Sequence, residues 1–200
     1  LQTYIDRVAE DSLSIELCGV FSNRPDAYGL TRAHDAGIET LCIEHGRYAT
    51  REQFDQAVAA ALAPWEPDLL VLAGFMRILS PWFVQHYAGR ILNIHPALLP
   101  LYPGLNTHER VLEAGDTHHG STVHFVTEEL DGGPRILQGR IRVAPSTDPD
   151  ELMQRVQAVE HRINPTAADW FGSGRLQMRD GATWLDGEAI AEPVVLDFDL

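Results

Sequence analysis

The chain opens on Leu1-Gln-Thr-Tyr4-Ile5-Asp-Arg-Val8, where apolar residues recur every three or four positions and predict one face of a helix. Ile15-Glu-Leu-Cys-Gly-Val-Phe21 reads as a strand, closed by the turn-forming Asn23-Arg24-Pro25-Asp26. A helical stretch follows to Ala36, with Gly37 just past its end, where a left-handed residue stops a helix. The alternation then repeats. Thr40 to Ile43 is a short strand, and Thr50-Arg-Glu-Gln53 has the spacing of a capping box that starts a helix reaching about Leu62. Trp65-Glu-Pro67 breaks it.

Asp68-Leu-Leu-Val-Leu-Ala-Gly74 is apolar on both faces, which predicts a central parallel strand with helices on each side. Ser80-Pro81 is an N-cap followed by proline at the first helical position, opening a helix through about Tyr87. Arg90 to Ile94 is the next strand, and a proline-rich loop comes after it. Beyond the loop the pattern predicts a helix from Thr107 to Ala114, a strand from Ser121 to Thr127, a turn at Leu130-Asp-Gly-Gly-Pro134 and a strand from Ile136 to Val143. A long helix starts after Ser146-Thr-Asp-Pro149 and reaches toward Phe171, and Arg175 to Leu185 reads as a small hairpin around Asp180-Gly181.

This order predicts one α/β domain over residues 1–200, with a mostly parallel twisted sheet, helices on both faces, and an antiparallel element at the Asp131–Pro134 turn. Such a sheet normally begins with a strand whose loop feeds the first helix, so a strand and loop are expected ahead of Leu1.

Composition narrows the function. Of 200 residues, 44% are hydrophobic and 22% charged, the balance of a folded domain. With 15 Lys and Arg against 29 Asp and Glu, the net charge of −14 argues against nucleic acid and anionic membrane as partners, because both are held by clustered cations. Small molecules are the expected ligands, in a monomer or weak homodimer. The only cysteines, Cys18 and Cys42, sit in apolar runs without metal-site spacing, and are expected to be buried reduced thiols of a cytoplasmic protein. No apolar run approaches the roughly 18 residues of a membrane span.

The most informative stretch is Asn93-Ile94-His95-Pro96. Side chains alternate along a strand, so Asn93 and His95 share one side while Ile94 faces the other. Pro96, Pro100, Pro103 and Gly104 stiffen the adjoining loop, placing the pair on restrained backbone where open α/β sheets bind ligands. Asp131, on the glycine-rich turn between two apolar strands, can approach an imidazole and favour its charged form. Asn93, His95 and Asp131 are then able to act as an acid and oxyanion device. His108, His118, His119, His124 and His161 lack the spacing that brings three or four ligands onto zinc, so no metal is expected.

Val20-Phe-Ser-Asn23, Leu72-Ala-Gly-Phe-Met-Arg-Ile-Leu-Ser80, Leu92-Asn-Ile-His-Pro-Ala-Leu-Leu-Pro100, Tyr102-Pro-Gly104 and His124-Phe-Val-Thr-Glu-Glu-Leu-Asp-Gly-Gly-Pro134 together cover nearly the whole chain. They resemble the signatures of the folate-dependent phosphoribosylglycinamide formyltransferases of purine synthesis. The resemblance implies a Rossmann-like formyltransferase fold and formyl transfer from 10-formyltetrahydrofolate, as co-substrate, to the amine of glycinamide ribonucleotide. It places Asn93, His95 and Asp131 on the catalytic positions. Met76, Arg77, Ile78 and Leu79, with Glu128, Glu129, Leu130 and Asp131, resemble the folate pocket, and Asn93 also borders it. Arg51 resembles the arginine near the folate's glutamate tail, while Gln157 and Glu160 resemble the group that holds the nucleotide. Two departures stand out: the family's first strand with its Gly-Ser-Asn phosphate loop is not seen ahead of Leu1, and Leu101 occupies a position that is often basic.

Other readings compete. A formyltetrahydrofolate hydrolase shares the Asn-His-Asp chemistry with water as acceptor, but usually adds an N-terminal regulatory domain and a different loop in place of Tyr102-Pro-Gly104. A methionyl-tRNA formyltransferase needs a basic face and a second C-terminal domain. A non-catalytic folate-binding module has no reason to keep Asn93, His95 and Asp131 together.

Overall fold

The computed structural model describes residues 1–144 and 147–200. Helix α1 spans Gln2–Ala9, followed by β1 (Val20–Ser22), α2 (Tyr28–Asp35), β2 (Thr40–Cys42) and α3 (Arg51–Leu62). Next come β3 (Leu70–Leu72), α4 (Pro81–His86), β4 (Ile91–His95), α5 (Thr107–Ala114), β5 (His118–Phe125) and β6 (Arg135–Arg142). The long α6 (Pro149–Gly172) leads to β7 (Leu176–Arg179), β8 (Ala182–Leu185), β9 (Glu188–Ile190) and β10 (Val194–Phe198). The α/β class and the predicted helices stand, and two caps form as their sequences require. Thr50 accepts from the Gln53 backbone N–H at 3.2 Å, and Ser80 does the same for Phe83 at 3.3 Å. Asp148 caps α6 by accepting from the Glu151 N–H at 2.8 Å, while Ser146 of the predicted α6 start lies outside the described residues.

The main sheet has the order β10-β6-β5-β4-β3. Strand β4 runs parallel to β3 and antiparallel to β5, β5 is antiparallel to β6, and β10 closes the far edge parallel to β6. Strands β1 and β2 form a separate parallel pair. Several expectations change here. Among the described residues the strand at 70–72 pairs on one edge only, with β4, which puts it at the end of the five-stranded sheet. It is apolar on both faces because Leu70 and Leu72 pack toward Phe54, Val58 and Phe83, while Leu69 and Val71 pack toward Tyr4, Leu13 and Ala168. The strand predicted from Ile15 is hydrogen-bonded only from Val20, since β2 offers a ladder of three residues. Cys18, two residues ahead of β1, and Cys42, the last residue of β2, are exposed free thiols. The tail is more than a hairpin: β7, β8 and β9 form a three-stranded meander before β10 rejoins the main sheet.

The main core lies between β4, β5 and β6 and helices α5 and α6, with Leu92, Val111, Val123, Phe125, Ile136, Val156 and Ile163 fully or almost fully buried. Gly120 and Gly139 let β5 and β6 approach closely, since a Cβ at Gly120 would fall 1.9 Å from the Gly139 carbonyl oxygen.

The same two strands fasten the proline-rich loop after β4. The Thr122 hydroxyl donates to the Ala97 carbonyl at 2.6 Å and accepts from the Leu99 N–H at 3.0 Å. Gln138 donates to Leu99 O at 2.7 Å, Arg135 to the same oxygen at 2.9 Å, and Ser121 to His95 O at 2.7 Å. A loop has no ladder of its own, so these side chains supply the partners its buried backbone needs. Nearby, His108 of α5 meets the buried His119 of β5 at 3.0 Å. Burial, reinforced by its neighbour's imidazole, pushes His119 down to about 4, and burial lowers His108 as well.

These contacts set two expectations for stability. Thr122→Val keeps the shape but removes the hydroxyl's bonds to Ala97 O, the Leu99 N–H and Gln138, leaving Leu99 N–H and Ala97 O only their mutual 3.1 Å contact, and is expected to destabilise the fold by about 2 kcal/mol, with Thr122→Ser keeping most of the parent's stability. Chemical denaturation curves check this, and equal losses for both variants would contradict it. Because His119 falls from 6.5 to about 4 on folding, the unfolded chain holds the proton that the native form releases. Its contribution is therefore full above about pH 6.5 and declines toward pH 4, by at most about 3 kcal/mol. Glu160, raised by burial, acts with the opposite sign, but parent and His119→Gln share it. The variant's denaturation midpoint is expected to change less between pH 6.5 and 4 than the parent's, and parallel slopes would refute the assignment.

Candidate active site

Strand β4 delivers Asn93 and His95 to one face, while Ile94 turns to the core and packs there with Val123. In the antiparallel register with β5, Asn93 stands opposite His124 and His95 opposite Thr122. Cross-strand partners project to the same side, so four polar side chains gather where the sheet meets the proline-rich loop.

His95 is buried, 5% exposed, and both ring nitrogens face acceptors. A carbonyl oxygen can only accept, so Nε2–H donates to Tyr102 O at 2.8 Å. That leaves Nδ1 as the nitrogen directed at the site, 3.4 Å from Asp131 Oδ2, an ion-pair distance rather than a tight hydrogen bond. Tyr102 is itself held, donating its hydroxyl to Asp116 at 2.7 Å. Asp131 adopts a left-handed backbone with φ 53°, and its Oδ2 accepts from the Gly104 N–H at 2.9 Å, tying the turn to the loop after β4. The turn can come this close because of Gly133, where a Cβ would lie 1.8 Å from the Phe125 carbonyl oxygen.

His124, opposite Asn93, is buried, and its Nδ1–H donates to its neighbour's carbonyl, Phe125 O, at 2.9 Å. Burial lowers its pKa, although the Phe125 carbonyl and Asp131 work the other way. Its Nε2 is 3.2 Å from Asn93 Nδ2 and 3.9 Å from Asp131 Oδ1. Sequence reasoning misses His124, which stands there only among histidines without metal spacing. The signal that finds it is the pairing of β5 with β4, which spacing along one strand does not contain.

Glu160 reaches the same region from α6. Burial raises its pKa, and its Oε1 is 3.0 Å from the Ser121 hydroxyl that also donates to His95 O. The Ser121 hydroxyl thus has two acceptors in reach, the His95 carbonyl and Glu160 Oε1, and its one proton serves one of them at a time. Gln157, paired with it by sequence, is exposed and joins none of these hydrogen bonds.

Residues 73–79 form an irregular segment after β3. Met76 and Ile78 are 79% and 57% exposed, and among the described residues Met76, Arg77, Ile78 and Leu79 make no backbone hydrogen bond. The segment is pinned where it ends, by the Ser80 N–H donating to the buried Asp55 carboxylate at 2.6 Å. Arg77 lies 5.3 Å above the Phe54 ring of α3, and its buried Nε has no partner among the described residues. Arg51, exposed in the first turn of the same helix, is one turn before Phe54. Glu128, Glu129 and Leu130 are exposed on the turn, with Glu128 held to α4 by Gln85 at 2.8 Å, and Leu101 and Leu105 are exposed on the loop after β4. Among the described residues, no group of three or more His, Cys, Asp or Glu is gathered as for a metal ion, and no helix is long and apolar enough to cross a membrane.

The arrangement therefore offers amide and imidazole N–H donors beside a carboxylate, next to exposed apolar surface with unused backbone groups. Comparison with known proteins places it. The formyl transferase family matches residues 1–168. The chain is 50% identical over 190 residues to the phosphoribosylglycinamide formyltransferase of Escherichia coli strain K12, covering 95% of this chain and 90% of that protein. The solved phosphoribosylglycinamide formyltransferase of Coxiella burnetii superposes with a TM-score of 0.92 at 46% identity, over 97% of this chain and 92% of that one. A formyltetrahydrofolate deformylase from Pseudomonas syringae pv. tomato is more distant, at 26% identity and TM-score 0.82, over 92% of this chain but 61% of that one. The sheet that gathers Asn93, His95, His124 and Asp131 is thus one shared with characterised relatives, and the chain belongs to the formyl transferase family.

Proposed function

We propose that the protein transfers the formyl group of 10-formyltetrahydrofolate to the amine of glycinamide ribonucleotide, as the names of its relatives suggest. The observation that carries this reading is the convergence of Asn93, His95 and Asp131 on one partly enclosed face. The neutral amine attacks the formyl carbon and forms a C–N bond while the carbonyl π-electrons move to oxygen. An N–H of Asn93 and the Nδ1–H of His95 stabilise that oxygen. The intermediate collapses by breaking the bond between the formyl carbon and N10 of the folate, and the proton lost by the amine passes to N10. Asp131 lies close enough to His95 to attract the charge on its ring and to orient a water for these transfers.

The folate is assigned to the exposed surface of Met76, Arg77, Ile78, Leu79, Glu128, Glu129 and Leu130. Support comes from the backbone donors and acceptors of 76–79, free to meet the polar edge of a heterocycle, and from the apolar side chains around them. Arg51 and Arg77 are the cations for its glutamate carboxylate. Glu160, already linked to His95 through Ser121, is placed beside the ribonucleotide, with Gln157 as the weaker member. A further strand and a phosphate-binding loop ahead of Leu1 belong to this reading. In support, Phe21 of β1 and Leu70 and Leu72 of β3 pack into one apolar cluster, yet among the described residues each strand pairs on one edge only.

Formyl-donor consumption by the full protein, followed with and without glycinamide ribonucleotide, is expected to require the amine; equal rates without it would favour the hydrolase. Asp131→Asn is expected to lower kcat by about 100- to 10,000-fold with little change in folate affinity. The double change with His95→Asn is expected to cost far less than the product of the singles, because both act through one device. Near-parent kcat in Asp131→Asn across neutral pH would remove Asp131 from the mechanism.

A further inference from the structure

An asparagine amide presents a donor at one end and an acceptor at the other, and only the donor end can stabilise an oxyanion. Something must decide which end faces the reacting oxygen. The candidate in this fold is His124, buried directly across the β4–β5 ladder from Asn93. Its ring is locked on one side, because Phe125 O accepts from Nδ1 at 2.9 Å, so the proton of the neutral ring sits on Nδ1. Nε2 then carries a lone pair. Three groups face it: Asn93 and His95 from β4, and the Asp131 carboxylate from the turn. Asp131 Oδ1, at 3.9 Å, is too far for a hydrogen bond, and Asn93 Nδ2, at 3.2 Å, is the near donor. A rotated amide would set its carbonyl oxygen against that lone pair.

We propose that His124 is a positioning residue that sets which end of the Asn93 amide faces the substrate. One amide N–H is given to His124 Nε2, which leaves the second N–H for the formyl oxygen. The register shift between Val123 and His124 in the β5–β6 ladder lies where the strand must let this ring turn back toward the Phe125 carbonyl. The ring's neutrality is part of the device, because a second proton, on Nε2, would repel the Asn93 N–H and release the amide. The kinetic consequence rests on the formyl transfer proposed above, whereas the tautomer does not.

The test has two arms. In the full protein without substrate, nitrogen NMR of His124 is expected to find a protonated Nδ1 and an unprotonated, pyridine-like Nε2 at neutral pH. The reverse tautomer, or a doubly protonated ring, would overturn the proposal whatever the reaction is. In the kinetic arm, His124→Phe keeps a ring without the acceptor, and His124→Gln restores an acceptor oxygen near the Nε2 position. His124→Phe is expected to lower kcat by about 100-fold, the scale of a misplaced catalytic group, with folate KM near the parent's. His124→Gln is expected to recover most of that loss, and Asn93→Ala with His124→Phe to be no slower than Asn93→Ala alone. Equal losses in the two His124 variants, or multiplicative loss in the double variant, would make His124 a packing residue only. A parent enzyme that forms no formylated amine would instead sink the proposed function and leave the NMR result standing.

Discussion

The antiparallel docking of β5 against β4 is the constraint on which the rest depends. It places His124 opposite Asn93 and Thr122 opposite His95, and through Thr122 and Ser121 it supplies partners for the buried carbonyls of residues 95–99. A parallel strand in the same place would need a crossover to reach it and would not bring the glycine-rich turn back beside the loop. Because β5 and β6 are joined by that turn, Asp131 returns to within 3.4 Å of His95. Packing and chemistry thus share one ladder. The strands bury Val123, Phe125 and Ile136 on the core side and hold the polar groups on the other.

The polar groups brought to this edge each have a partner, and the partner gives each a direction. His95 spends Nε2 on Tyr102 O, so Nδ1 is the atom left for chemistry. His124 spends Nδ1 on Phe125 O, so it can only accept from Asn93. Asp131 is fixed by the Gly104 N–H before any substrate arrives. Low local dielectric makes each of these choices expensive to reverse, which is the sense in which the site is preorganised. The net charge of −14 does not conflict with anionic ligands, since Arg51 and Arg77 stand by the first turn of α3 and unused backbone groups lie beside them.

Much of this is legible in the sequence where the information is local. Thr50 and Ser80 cap their helices as their spacing requires, and Asn93 and His95 share a face because strand side chains alternate. What is not legible depends on partners far along the chain. Leu70–Leu72 looks central by its two apolar faces, but sheet order is set by pairing, and among the described residues it pairs on one edge only, with β4. Cys18 and Cys42 look buried by their neighbours, yet one lies ahead of β1 and the other ends β2, and both are exposed. His124 carries no signal until β5 is laid against β4, and Gln157 shares a helix with Glu160 but not its contacts. The pairing of β10 with β6 is equally invisible, because Val194–Phe198 comes after a meander that hides its destination.

The central claim is that the N–H groups of Asn93 and His95 are already aimed at the formyl oxygen when the donor binds. Isotope-edited infrared difference spectroscopy of the bound donor, labelled with 13C in its formyl group and held without amine, reads this directly. Two preorganised donors polarise the carbonyl, so its stretching frequency is expected to fall below that of the same donor in water, and to move back toward the water value in Asn93→Ala. A bound carbonyl with the frequency it has in water, unaffected by Asn93→Ala, would contradict the account.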